Sequence, residues 1–258
     1  MTTDDAPVAP QDAREAEAAA AIQARNTFLT IVSHELRTPL TALTGYGELL
    51  SDGILGPLTP LQHDTIERMR AVTQQLSVMI DGMLTFSNIE AGHERVVITQ
   101  VSPSHVLRSA AAILEPLVRK KAVELVVRAD DTLLPIPSDE EKIRQILVHL
   151  GGNAVKFTVA GRVCLSVEGR GDEVVFVVED TGCGIADGDW GRLFRPFTQL
   201  DAGLTKRHGG SGLGLYISSR LAGLLGGRID VASTVGVGSV FTLRLPRVRR
   251  AAAESGSR

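Results

Sequence analysis

Apolar residues recur at heptad spacing over two stretches of this chain. Leu29, Leu36, Leu43 and Leu50 stand seven residues apart, Val32 and Tyr46 fill intervening core positions, and Ile22 extends the series one step backwards. That repeat predicts one helix packing along a seam in the manner of a coiled coil. Two glycines and two prolines in residues 51–60 end it and mark a turn. A second helix follows, with Met69, Leu76 and Met83 at one heptad position and Val72, Met79 and Phe86 at the other, ending near Ala91 and Gly92. Two antiparallel helices expose a seam too wide for either to cover alone, so the hairpin is expected to pair with a second copy as a four-helix bundle. The methionines and Phe86 are core residues of that seam.

Beyond His93 the periodicity changes. Alternating, β-branched runs predict strands over 123–127, 163–167, 174–178, 228–232 and 239–245, with a hairpin turn at Gly169-Arg170-Gly171-Asp172. Helices fit at 104–121, 139–156 and 214–225. Helices alternating with antiparallel hairpins predict a two-layer α/β sandwich. Residues 1–10 read as a disordered lead-in and 248–258 as a flexible tail. The alanine-rich, charged stretch 11–25 has high helix propensity and would enter the hairpin as a continuous signalling helix. The hairpin unit is thus expected over 11–95 and the sandwich over 96–247.

Composition narrows the function classes. Among 258 residues, 43% are hydrophobic and 22% charged, as in ordinary globular proteins. A net charge of -3 offers no broad basic surface for nucleic acid, and the cluster Arg247, Arg249 and Arg250 reads as solvated tail. Cys164 and Cys183 cannot build a disulfide framework, which fits a reducing cytoplasm. No stretch approaches the roughly 18 to 20 consecutive apolar residues that span a bilayer, and the acidic start is unlike a signal peptide. A cytoplasmic protein without a membrane span is expected.

Within the first helix, counting from Leu29 as position a puts His34 at f, the outermost position. It is a solvent-facing imidazole followed by the carboxylate of Glu35. Pro39, in the next turn, removes the hydrogen bond to the Glu35 carbonyl and costs roughly 3 kcal/mol. Something other than stability keeps it there. The string His34-Glu35-Leu36-Arg37-Thr38-Pro39-Leu40 resembles the phosphoacceptor box of the sensor histidine kinases of two-component signalling.

The second half carries three further elements of that resemblance. There is neither a Gly-x-x-x-x-Gly-Lys-Ser/Thr loop nor a Gly-x-Gly-x-x-Gly fingerprint, which disfavours the common nucleotide folds. Residues 144–157, ending Asn153-Ala154-Val155-Lys156-Phe157, resemble the family's asparagine box. An uncharged amide on a helix face suits Mg²⁺, a hard cation that keeps waters and phosphate oxygens as its other ligands, and Lys156 would compensate phosphate charge. Asp180-Thr181-Gly182-Cys183-Gly184 follows a strand directly and resembles the first glycine box. A carboxylate there can accept from the exocyclic amine of adenine, while Gly182 and Gly184 allow close backbone approach. Cys183 reads as a packing residue. Gly210-Ser211-Gly212-Leu213-Gly214 precedes a helix and resembles the second glycine box, its bare amides forming an anion site for a triphosphate. Between the glycine boxes, 187–208 reads as a long irregular lid holding a phenylalanine box, 193–197, with Lys206 and Arg207 placed to contact phosphates.

The resemblance, running from about Phe28 to Leu245, implies a dimerisation hairpin followed by a Bergerat (GHKL) ATP-binding sandwich. It implies ATP and Mg²⁺ as cofactors, autophosphorylation of His34, and transfer to an aspartate on the receiver domain of a response regulator. Neutral imidazole is a competent nucleophile near pH 7, and Glu35 can bond the other ring nitrogen and fix its tautomer. Thr38, one turn after His34, shares its face and is expected to support dephosphorylation of the regulator. Only about 25 residues precede the hairpin, too few for a folded sensor, so the signal is expected from a separate or upstream partner. Two other readings stand beside this one. A gyrase- or MutL-like ATPase would place a catalytic glutamate one turn before the metal asparagine, where this chain has His149. A degenerate kinase would serve as a dimeric scaffold. His149 itself, four residues before Asn153, either faces the phosphates or packs against Ile146, Leu147 and Leu150.

Overall fold

The computed structural model describes residues 32–33, 35–119, 121–199 and 211–248. The expected signalling helix at 11–25 and the tail beyond 248 lie outside the described residues. Two compact units divide at Glu94 and Arg95. Among the described residues no helix is long and apolar enough to cross a membrane.

The first unit is a helical hairpin. Helix α1 covers 32–33 and 35–51 of the described residues and continues through Pro39. Gly53 and Gly56, with φ of 70° and 111°, make the turn that the Gly/Pro cluster announced. Helix α2, Pro60–Glu90, starts on a capping box in which Thr59 and Gln62 satisfy each other's backbone, with Pro60 in its first turn. Ser33, Leu40 and Gly47 are buried on α1, and Ile80, Ser87 and Ile89 on α2. The Arg70 side chain of α2 lies over Gly47, where a Cβ would be 2.7 Å from its Cγ. Arg37 pairs with Asp81 across the hairpin at 2.6 Å. Of the predicted heptad seam, Val32, Leu50, Met79 and Phe86 are half-buried within the chain. Leu43 is 48% exposed, Met69 58% and Val72 66%, so other large apolar positions of the seam stay uncovered within one chain.

The second unit is the two-layer sandwich. Its strands are β1 (Thr99–Val101), β2 (Ala122–Arg128), β3 (Ile136–Ser138), β4 (Ala160–Arg170), β5 (Glu173–Asp180), β6 (Arg228–Thr234) and β7 (Gly238–Pro246). The helices are α3 (Pro103–Val118), α4 (Glu140–Phe157) and α5 (Gly214–Leu224). Five strands form one sheet in the order β2-β4-β5-β7-β6, with β2 parallel to β4 and every other pair antiparallel. Period-2 alternation sends Val163, Leu165, Phe176, Val178, Phe241 and Leu243 towards the helices, where they join Leu107, Leu114, Ile143, Leu147, Ile217 and Leu221 in the core. The opposite face carries ion pairs such as Arg244 with Asp230 at 2.6 Å, suiting it to water. β1 and β3 form a separate two-stranded sheet that periodicity misses, because three residues are too short to show alternation.

Candidate nucleotide site

The end of β5 is the most elaborately held part of the second unit. Asp180 closes that strand opposite Ser239 of β7 and is 7% exposed. Burial pushes its carboxyl above the ordinary carboxylate range, while hydrogen bonds from the Gly182 N–H and from the Ser239 backbone and hydroxyl favour the ionised form. The Gly182 N–H donates to Asp180 Oδ1 at 2.8 Å. Ser239 Oγ also lies 3.0 Å from Ser233 Oγ, and Ser233 accepts from the Ile185 N–H at 2.8 Å. One network thus fixes the carboxylate and both ends of the loop behind it.

The glycines of this loop have a reason that the sequence did not supply. A Cβ on Gly182 would lie 2.6 Å from the Phe157 carbonyl, and Gly184, at φ 68°, would overlap the Thr234 carbonyl if substituted. The loop is glycine-rich because it is pressed against its own chain as well as open to a ligand. Ser233 and Ser239 escaped the sequence reading altogether. The signal was there: Gly236-Val237-Gly238-Ser239 opens β7, and Gly238 has φ 136° with no room for a side chain beside the Asp180 carbonyl.

Helix α4 brings the amide-bearing residues to this loop. Its N-cap Asp139 accepts from the Lys142 N–H at 3.1 Å and from the Val97 N–H at 2.8 Å, which ties the helix start to the segment just before β1. Glu140 and Glu141 in the first turn and Lys156 in the last match the helix dipole. Asn153, Lys156 and Phe157 are half-buried in the final turns. Lys156 Nζ stands 4.9 Å from the Phe157 ring centroid, and partial burial lowers its pKa. The single neutral amide of Asn153 fits a cation that takes most of its oxygens from phosphate and water.

Gly212 has φ 70°, and a Cβ there would meet the Phe197 carbonyl carbon at 2.8 Å. Leu213 is buried at the start of α5, and no side chain among the described residues caps that helix, whose N-terminal end carries the positive end of its dipole. The lid is more ordered at its start than expected: Asp187–Arg192 forms a 3-10 helix, and Leu193 is buried. Phe197 holds a φ of 59°, rare for a residue with a side chain. Lys206, Arg207 and Gly210 lie outside the described residues, as does His34. Glu35 and Thr38 are exposed on α1.

His149 packs against α5. Its Nδ1 lies 3.4 Å from Ser218 Oγ, and a Cβ on Gly214 would be 3.9 Å from its Cγ. Burial lowers its pKa, so the ring is neutral at pH 7 and ties the asparagine-box helix to the second glycine-box helix. Of the two placements open to His149, this is the packed one, and its titration bears on stability. Between its depressed folded pKa and the unfolded value of about 6.5 the unfolded chain binds more protons, so stability rises with pH across that window. Lowering the pH from 7 through about 6.5 is expected to lower the thermal midpoint of the second unit, and His149→Asn to reduce that dependence. Parallel midpoint-versus-pH curves for the two proteins would count against this role.

Residues 24–92 match the family described as the His Kinase A (phospho-acceptor) domain. Residues 138–249 match the histidine kinase-, DNA gyrase B- and HSP90-like ATPase family. The chain belongs to the sensor histidine kinases. It is 38% identical over 232 residues to the circadian input-output histidine kinase CikA of Synechococcus elongatus, covering 89% of this chain and 31% of that protein. With the sensor protein TorS of Escherichia coli it shares 36% over 234 residues, covering 90% of this chain and 25% of that protein. The chain thus spans about a third or less of these relatives' length. Among solved structures, full-length ShkA in complex with AMPPNP matches with a TM-score of 0.70 and 33% identity, over 88% of this chain and 47% of ShkA. The Acinetobacter baumannii histidine kinase AdeS matches with a TM-score of 0.57 and 25% identity, over 83% of this chain and 98% of that chain.

Proposed function

We propose that this histidine kinase binds ATP in its second unit, phosphorylates its own His34, and passes the phosphoryl group to an aspartate on the receiver domain of a response regulator. The observation that carries the nucleotide half is the buried Asp180 carboxylate, held by Ser239 and Gly182 at the end of β5. Such a carboxylate, presented on glycine backbone, suits the exocyclic amine of adenine. The glycine-flanked N-terminus of α5 suits the phosphates. Asn153 would hold Mg²⁺, which when bound draws charge from the transferring phosphoryl group.

A neutral His34 nitrogen attacks the γ-phosphorus of ATP, the bond to the bridging oxygen breaks, and ADP leaves with that electron pair. Glu35 accepts a hydrogen bond from the other ring N–H and stabilises the positive charge that develops on the imidazole. Lys156, with Lys206 and Arg207, offers cationic charge to the phosphates. The apolar positions Leu43, Met69 and Val72 of the hairpin, uncovered within one chain, support association of two copies into a four-helix bundle. A partner domain would deliver the signal, in keeping with the longer relatives, and the reaction is assigned to the cytoplasm, where ATP is available.

Incubation with γ-labelled ATP tests this reading. Acid-labile, base-stable label on the protein supports it, free phosphate alone would indicate a gyrase-like ATPase, and neither would indicate a scaffold. Thr38 is exposed one turn beyond His34. Thr38→Ala is expected to keep autophosphorylation and lose regulator dephosphorylation, measured as the decay of a phosphorylated receiver domain. An unchanged decay rate would remove Thr38 from the proposal.

A further inference from the structure

The last turn of α4 carries three residues of the nucleotide site, and its final carbonyls have no further helical turn to bond them. Lys121 supplies a donor from outside the helix. It stands half-buried in the link between α3 and β2, its N–H bonded to the Val118 carbonyl at 2.9 Å. Its Nζ donates to the Val155 carbonyl at 2.6 Å and the Lys156 carbonyl at 3.3 Å. Topology makes this reach possible: β2 pairs in parallel with β4, so Ala122 lies opposite Ala160, just past the end of α4.

The clamped carbonyls sit between two functional contacts. Asn153 is the proposed cation ligand, two residues before Val155. On the other side, the Phe157 carbonyl is the surface against which Gly182 rests, as the 2.6 Å clash of a Cβ there shows. The Thr158 N–H closes the same turn on the Ala154 carbonyl at 3.1 Å. A cation at a helix C-terminus is favourable both as a hydrogen-bond donor and against the dipole. Removing it turns two carbonyls towards water and frays the turn on which the asparagine, Lys156 and the adenine loop are aligned.

We propose that Lys121 is a positioning residue of the nucleotide site, setting the last turn of α4 so that Asn153 and the Gly182 loop face one ligand together. This rests on the nucleotide reading above. It differs from a purely stabilising cap in one respect: the geometry of the loop behind Asp180 depends on Lys121 even where the fold does not.

The test uses the full chain with Lys121→Met, which keeps the aliphatic stem, and Lys121→Arg, which keeps two donors. ADP affinity with Mg²⁺ is measured by calorimetry at a temperature where each protein is folded, beside the thermal midpoint and the amide resonance of Gly182 without ligand. The methionine variant is expected to bind ADP about tenfold more weakly and to shift the Gly182 amide, and the arginine variant to restore affinity to within about threefold. A lowered midpoint with parental ADP affinity and an unmoved Gly182 resonance would make Lys121 a cap only and overturn the proposal. Should the methionine variant not fold, Lys121→Gln, with one donor arm, is read by the same criteria. If the parent itself binds no ADP, the nucleotide reading falls and this proposal with it.

Discussion

Replacing His34 by glutamine abolishes acid-labile, base-stable phosphorylation of the chain while ADP binding stays at the parental level. Glutamine keeps polarity and approximate size but has no nitrogen lone pair able to attack phosphorus, since the amide nitrogen's electrons are delocalised. The residues proposed to bind nucleotide belong to the other compact unit, so their affinity is a separate measurement. Label from γ-labelled ATP, counted after acid and base treatment, reads the first quantity and calorimetry the second. Persistent acid-labile label on the variant would place the acceptor elsewhere. Loss of ADP binding along with the label would show that the substitution damages the fold.

Asp180→Asn is expected to weaken ADP binding by about 10- to 100-fold, the cost of losing a charge-assisted hydrogen bond and leaving its partners unpaired. The fold should tolerate it. Burial raises the Asp180 pKa, so the ionised carboxylate opposes stability as pH rises through its folded pKa. Asparagine removes that desolvation cost while losing an acceptor for the Ser239 donors. The two effects offset, and the thermal midpoint without nucleotide is expected to stay within about 5 °C of the parent. A variant that binds ADP normally would take Asp180 out of the adenine contact, and with it the main support for the nucleotide reading.

The elements of the second unit could be read from the sequence where they are long and periodic. The strand predicted at 174–178 forms Glu173–Asp180, and the helix predicted at 139–156 forms Glu140–Phe157. Short or aperiodic pieces could not: three-residue β1 and β3 show no alternation, and the 3-10 turn at Asp187–Arg192 has no apolar face to reveal it. In the hairpin the period was legible as two helices with an apolar seam, and the burial of individual positions was not. A heptad of large apolar residues states that a seam exists, whereas the burial of Ser33 and of Gly47, beneath the Arg70 side chain, depends on the partner helix.

The candidate site divides along the same line. Local chemistry marks Asn153, Asp180 and the glycines around 182–184 and 212–214, because each lies in a short run whose residue types are unusual for their place in a strand or helix. Sequence alone therefore determined the family resemblance, the order of the two units and which residues are candidates for the reactive groups. Only the tertiary structure decided what holds those groups. Ser239 reaches Asp180 through strand register, His149 turns towards Ser218 rather than being assigned to the phosphates, and Lys121 clamps a helix 34 residues further along the chain. Those partners are distant in sequence and ordinary in type. They acquire their roles from hydrogen bonds that form only when the sheet order β2-β4-β5-β7-β6 brings the ends of β5, β7 and α4 together.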